Sequence, residues 1–123
     1  MPSPNLLDAV TRAFAMVCLA DGRVTPLEER HFLSFIEHDP VLRHSPSRTV
    51  RTGWVNALKL LGKTRDFSPP SLAIATLVTS AADRETVMRA AQAALVADQE
   101  DKPNENGAIR ALALALKLDP EKY

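Results

Sequence analysis

The sequence predicts an all-α protein, a compact bundle of about six to seven helices in which a helix-loop-helix unit recurs near each end of the chain. Three observations carry that reading. Apolar residues recur with a period of about 3.6, and no stretch alternates polar and apolar as a half-buried strand must. Apolar residues make up 46% of the chain and aromatic residues 5%, so the core must be built mainly of Leu, Ala and Val, a composition that suits helical packing. Pro, Gly and Asx-type breakers then divide the 123 residues into segments of helical length, enough for one domain spanning 1–123 and too few for two.

The first helix is expected over about Asn5 to Ala20, with Leu6, Leu7, Val10, Phe14 and Val17 on one face. The second is expected over Pro26 to His38. Thr25 can act as its N-cap, Pro26 takes the first helical position, and Glu28 stands where a capping box needs a carboxylate. Asp39-Pro40 and Ser45-Pro46-Ser47 bracket a short segment, Val41 to His44, before a third helix over Ser47 to Leu61 that stops at Gly62. Lys63 to Ser68 reads as a loop. Pro69-Pro70 can open a fourth helix over about Ser71 to Ala81, and Asp83 can cap a fifth over about Arg84 to Ala97. The last helix is expected from about Pro103 to Leu118, stopped by Asp119-Pro120.

The opening Met1-Pro2-Ser3-Pro4-Asn5 lacks the basic and apolar regions of a secretory signal, and the longest uncharged apolar stretch, Phe14 to Ala20, falls far short of the ~20 residues that span a bilayer. A cytoplasmic location is expected, with peripheral membrane association left open. Cys18 is the one cysteine and lies in that apolar run, which reads as a buried, inert thiol. The formal net charge is zero but unevenly spread. Residues 1–40 carry three Arg against six acids, whereas residues 41–66 carry Arg43, Arg48, Arg51, Lys59, Lys63 and Arg65 against Asp66 alone. That basic segment, 43–65, also holds Trp54. It reads as a solvated helix face with Trp54 in the core; the alternative is a metal-independent scaffold whose basic segment docks an anionic partner protein, a membrane surface or nucleic acid. Balanced net charge gives no strong nucleic-acid signal.

One pattern points to chemistry. Ala20-Asp21-Gly22-Arg23-Val24-Thr25-Pro26-Leu27-Glu28 is echoed by Ala97-Asp98-Gln99-Glu100-Asp101-Lys102-Pro103-Asn104-Glu105, each with an Asp at the end of an apolar helix and a Glu seven residues on. At about 100° per residue, Asp21 stays in phase with Leu7, Val10, Phe14 and Val17, and Asp98 with Val87, Met88, Ala91 and Leu95. Glu28 shares the arc of Phe32, Phe35 and Ile36, and Glu105 that of Ile109, Leu112, Ala113 and Leu116. All four carboxylates therefore aim inward, where an unsatisfied charge costs several kcal/mol or titrates away. Three arrangements satisfy them: local caps of each loop, a divalent cation held where the two hairpins converge, or an Arg or Lys bridge. Hard ions such as Ca²⁺, Mg²⁺ or Mn²⁺ suit an all-oxygen set.

Other chemistries fit poorly. An EF-hand counted from Asp21 puts Arg23 at position three and Phe32 at twelve; counted from Asp98 it puts Lys102 at five and Ile109 at twelve. Glu28-Glu29-Arg30-His31 has the Glu-x-x-His spacing of di-iron bundles, but Glu105-Asn106-Gly107-Ala108 has no histidine, and His31 faces away from the core arc. His31, His38 and His44 read as surface residues. No nucleophile with a base and no phosphate-binding glycine loop is present, so no enzyme activity is expected.

The Ala20-Asp21-Gly22 and Thr25-Pro26-Leu27-Glu28-Glu29 sequences resemble the signature of the tellurite-resistance TerB-like family, with Ala97-Asp98, Pro103 and Glu105 as a second copy and Leu116-Lys117-Leu118-Asp119-Pro120 as its end. The second copy departs at Gln99, in place of Gly, and at Lys102, in place of a cap hydroxyl. The resemblance spans nearly the whole chain. It implies an all-helical, non-enzymatic bacterial stress-response domain, with divalent-cation binding through Asp21, Glu28, Asp98 and Glu105, acting as a metal-sensing or protein-interaction module with partners it does not name.

Overall fold

A helix with almost no solvent-facing stripe organises the molecule. In the computed structural model, which describes residues 5–20, 24–62, 66–96 and 103–122 (side chains of 103–106 excepted), α1 (Leu6–Leu19) buries every residue from Ala13 to Cys18, as well as Leu6, Ala9, Val10 and Thr11. A helix apolar on all sides has to be wrapped by others. Here α3 (Ser47–Leu61), α4 (Ser68–Leu77), α5 (Ala81–Val96) and α6 (Pro103–Ala115) all pack on it, and α2 (Pro26–His38) packs on α5. Short 3-10 turns at Leu42–His44 and Pro120–Lys122 complete the architecture, and there is no strand among the described residues. Both α1 and α5 bury several alanines, Ala9, Ala13 and Ala15 on one and Ala90, Ala91 and Ala94 on the other. Small side chains shorten the interaxial distance two helices can reach, so the α1–α5 pair forms a close-packed spine.

Two buried hydroxyls of this core find partners, one within its own helix and one across to another. Thr11 Oγ1 donates to the Leu7 carbonyl at 2.7 Å, one turn back, and the buried Ser71 hydroxyl of α4 lies 3.7 Å from Met16 Sδ of α1. The joint between α1, α2 and α3 is aromatic. Phe14 meets Phe32 and Trp54 edge-on at centroid distances of 5.4 and 5.9 Å, while Phe32 and Trp54 stack at 4.5 Å. These geometries suit the ring quadrupoles, and one residue from each helix fixes the relation of all three. Trp54 is thus a core residue, as expected from the sequence.

Helix boundaries follow from caps. α2 starts and stops at the expected residues, and α3 ends where Gly62 adopts φ 50° and its N–H reaches the Leu58 carbonyl at 3.0 Å. Four boundaries differ from the sequence expectation, one of them the end of α4, which stops at Leu77 and not near Ala81 because Val78 is extended. α4 begins at Ser68, earlier than expected, because Asp66 Oδ1 accepts the Ser68 N–H at 3.0 Å and Pro69-Pro70 then fit the first turn. α5 begins at Ala81, with Ser80 and not Asp83 as the capping residue: Ser80 Oγ accepts the Asp83 N–H at 3.1 Å. α6 ends at Ala115 short of Leu118, because the chain turns into a Schellman motif, with Leu118 N–H to the Ala113 carbonyl at 2.9 Å and Lys117 N–H to that of Leu114 at 3.1 Å. The motif requires a left-handed residue, and Lys117 supplies it at φ 60° without being Gly.

Two stability predictions follow from these joints. Lys117→Gly should stabilise the fold by roughly 0.5–1 kcal/mol, since the left-handed conformation strains a residue carrying a Cβ, and Lys117→Val should destabilise it; urea melts monitored by circular dichroism distinguish the two. Phe32→Ala should lose about 3–5 kcal/mol by opening a cavity beside two rings, and Trp54 emission should move to the red in the same transition as the loss of helicity.

Candidate functional site

The N-terminus of α2 is a complete capping box. Thr25 sits in extended geometry, its hydroxyl accepts the Glu28 N–H at 3.2 Å, and Glu28 Oε1 in return accepts the Thr25 N–H at 3.0 Å. The Thr25 hydroxyl also lies 3.2 Å from the same carboxylate oxygen. Pro26 occupies the first helical position, where its missing N–H costs nothing. Capping carboxylates of this kind are usually half in water. Glu28 is instead 1% exposed, and its second oxygen, Oε2, is buried with no hydrogen-bond partner among the described residues. A carboxylate satisfied at one oxygen and bare at the other is a high-energy arrangement in a low-dielectric interior. The inward phase read from the sequence is therefore correct for Glu28, and the local cap accounts for only half of the group.

Asp21 and Asp98, and the side chain of Glu105, lie outside the described residues. The helices that lead into and out of their loops are described, and they come together. α1 and α2 form the first hairpin and α5 and α6 the second; the two pack on each other through α1–α5, α1–α6 and α2–α5. The first turn of α4 lies against both α1 and α6. Ser71 reaches Met16, near the end of α1, and a Cβ built at Gly107, near the start of α6, would stand 3.8 Å from Phe67 Cε2. Phe67 and Ser71 are one turn apart, so the first turn of α4 lies between Met16 of α1 and Gly107 of α6.

The remaining sequence candidates are not brought together. His31, His38 and His44 are exposed, and His38 Nδ1 lies 2.8 Å from the Ser34 carbonyl of its own helix. Among the described residues no group of three or more His, Cys, Asp or Glu is arranged to hold a metal ion. Cys18 is fully buried. Two buried acids were not singled out by helical phase. Asp39, read from the sequence only as part of a breaker, is 6% exposed, and its Oδ2 accepts the N–H groups of Val41 and Leu42 at 3.0 and 2.9 Å, capping the 3-10 turn. Its contact with Arg89 is long, 4.0 Å, to a largely exposed guanidinium, and contributes little. Asp83, at the third position of α5, is the other. Asp-Pro at a helix end and Ser-x-x-Asp at a helix start were the signals for these two, and both describe structural caps.

No described helix is long and apolar enough to cross a membrane. No curated protein and no solved structure matches the chain. The family model described as tellurite resistance protein TerB matches residues 7–123. That match covers nearly the entire helical bundle, from the first turn of α1 through both Asp-to-Glu hairpins, and the chain belongs to the TerB tellurite-resistance family.

Proposed function

We propose that this TerB-family domain is a non-enzymatic module that binds a divalent cation at the end of the bundle where its two hairpins meet, and that cation occupancy governs its interaction with a protein partner in the cytoplasm. The observation that carries the reading is Glu28 Oε2, a buried carboxylate oxygen without a partner among the described residues. An oxygen in that state fits a hard cation, which takes carboxylate ligands and removes the cost of burying the charge. Asp21, Asp98 and Glu105 are the acids the sequence offers to complete the set, and Ca²⁺, Mg²⁺ and Mn²⁺ are the candidate ions. The packing of the first turn of α4 between Met16 of α1 and Gly107 of α6 supports a shared site. When bound, the ion supplies charge neutralisation. The chain's own contribution is orientation: the Thr25 backbone fixes one Glu28 oxygen, so the other is held in one direction without loss of rotamer freedom on binding.

Thermal melts with added Ca²⁺, Mg²⁺ or Mn²⁺ test this. An ion present at about a hundredfold over its Kd should raise Tm by on the order of 10 °C. Glu28→Gln keeps an acceptor for the Thr25 N–H and so keeps the cap, but it should lose the ion-dependent increment, as should Asp21→Asn. No stabilisation of the parent protein by ion at about 1 mM, the weak end of protein Ca²⁺ sites, or equal stabilisation of Glu28→Gln, would overturn the site.

A further inference from the structure

The outward side of α3 has a different character. Residues 40–65 contain no Asp or Glu. At about 100° per residue, Arg48, Arg51, Thr52, Val55 and Lys59 fall within an arc of about 100° on α3. All five are exposed, and Val55 sits at the centre of the stripe with Leu60 further along the helix. Arg48, Arg51 and Lys59 have no ion pair among the described residues. Where the stripe meets the 3-10 turn, a cleft of about 110 Å³ opens between α2 and α3. Leu33, Ile36 and Val50 line it together with Ser45 and Ser47, the exposed Arg43 and Arg51 border it, and Glu37 stands on the α2 side. The N-cap of α3 is Pro46, which provides no side-chain cap, so the first N–H groups of the helix add positive potential at the same place.

We propose that this face docks an acidic segment of a partner protein, with one aliphatic side chain of that segment in the cleft and the neighbouring carboxylates against Arg43, Arg48 and Arg51. The proposal goes beyond the cation site and does not depend on it. Charge complementarity selects an anionic occupant, because the surface carries cations with no acids interleaved along α3. Size selects the kind. The cleft is well below the roughly 300–1,000 Å³ of small-molecule sites and takes a single side chain. A lipid surface is disfavoured because the apolar face of α3, Val50, Trp54, Ala57 and Leu61, is committed to the core, which leaves only Val55 and Leu60 to insert. Duplex nucleic acid offers nothing that fills a cleft lined by Leu33, Ile36 and Val50. Glu37 sets the polarity of docking, since it repels carboxylates from the α2 side and confines them to the arginine rim.

The test is fluorescence anisotropy with a fluorescein-labelled peptide carrying one central leucine between runs of glutamate, titrated with the intact protein in EDTA. Saturable binding is expected that weakens at least about tenfold between about 0.05 M and about 0.3 M salt, as exposed charge pairs are screened. The double variant Arg48→Glu/Arg51→Glu should lose it by a similar factor while its thermal melt stays within a few degrees of the parent, both positions being exposed. Replacing the peptide leucine by serine should weaken binding severalfold, which isolates the cleft. Absence of saturable peptide binding, indifference to the double reversal, or equal affinity of the serine peptide would overturn the proposal. So would tighter binding to phosphatidylserine vesicles or to duplex DNA than to the leucine peptide.

Discussion

The burial of the later turns of α1, Ala13 to Cys18, on all sides is the constraint from which the rest of the architecture follows. A helix whose residues from Ala13 to Cys18 are all inaccessible cannot lie on a surface, so α3, α4, α5 and α6 must surround it. That arrangement sets what each neighbour can offer. α5 meets α1 as a close pair with small side chains buried on both helices, whereas the α1–α2–α3 joint, which has more space to fill, uses Phe14, Phe32 and Trp54. The same burial makes Cys18 a packing residue and obliges Thr11 to satisfy its hydroxyl on its own helix.

Packing α5 and α6 on α1 also sets the second hairpin against the first. The repeated Asp-to-Glu spacing is a statement about two separate pieces of sequence; in the structure the helices flanking the two loops pack on one another, and the first turn of α4 lies against both α1 and α6. Glu28 reconciles two readings that look exclusive in the sequence. Local capping uses Oε1 and the backbone of Thr25; Oε2 is buried and has no hydrogen-bond partner among the described residues. A group that served only as an N-cap would gain more by reaching solvent, where the spare oxygen is hydrated at no cost. Its burial is the physical basis for assigning it a second task.

Charge is segregated along the sequence, and the charged residues on the outward face of α3, Arg48, Arg51 and Lys59, are all of one sign. Such separation makes the chain dipolar in sequence at zero net charge, a pattern that suits the proposed anionic partner. A cation bound among the carboxylates and an acidic segment bound on α3 would therefore act on opposite signs of the same charge distribution, at different surfaces.

What the sequence determined by itself was everything governed by contacts within a few residues. The α2 start is the clearest instance: Thr25, Pro26 and Glu28 encode a capping box whose partners are all local, and the structure reproduces it atom for atom. Gly62 ends α3 for the same reason, and the inward phases of Phe14, Phe32, Val87, Met88, Leu112 and Leu116 needed only helical geometry. The start of α5 was decided elsewhere. Ser80 and Asp83 are both competent caps, and starting at Ala81 places Arg84 in the first turn, where its Nε reaches the Val78 carbonyl at 3.1 Å and its Nη1 the Leu116 carbonyl at 2.7 Å, across to the end of α6. The end of α6 was likewise set when Lys117 took a left-handed conformation that its own propensity disfavours, returning Leu118 to the core surface. Tertiary structure settled these points because each depends on a partner from another helix, and so did the isolation of Glu28 Oε2: an acid's helical phase shows the direction it faces, but only the packed neighbours decide whether anything is there to meet it.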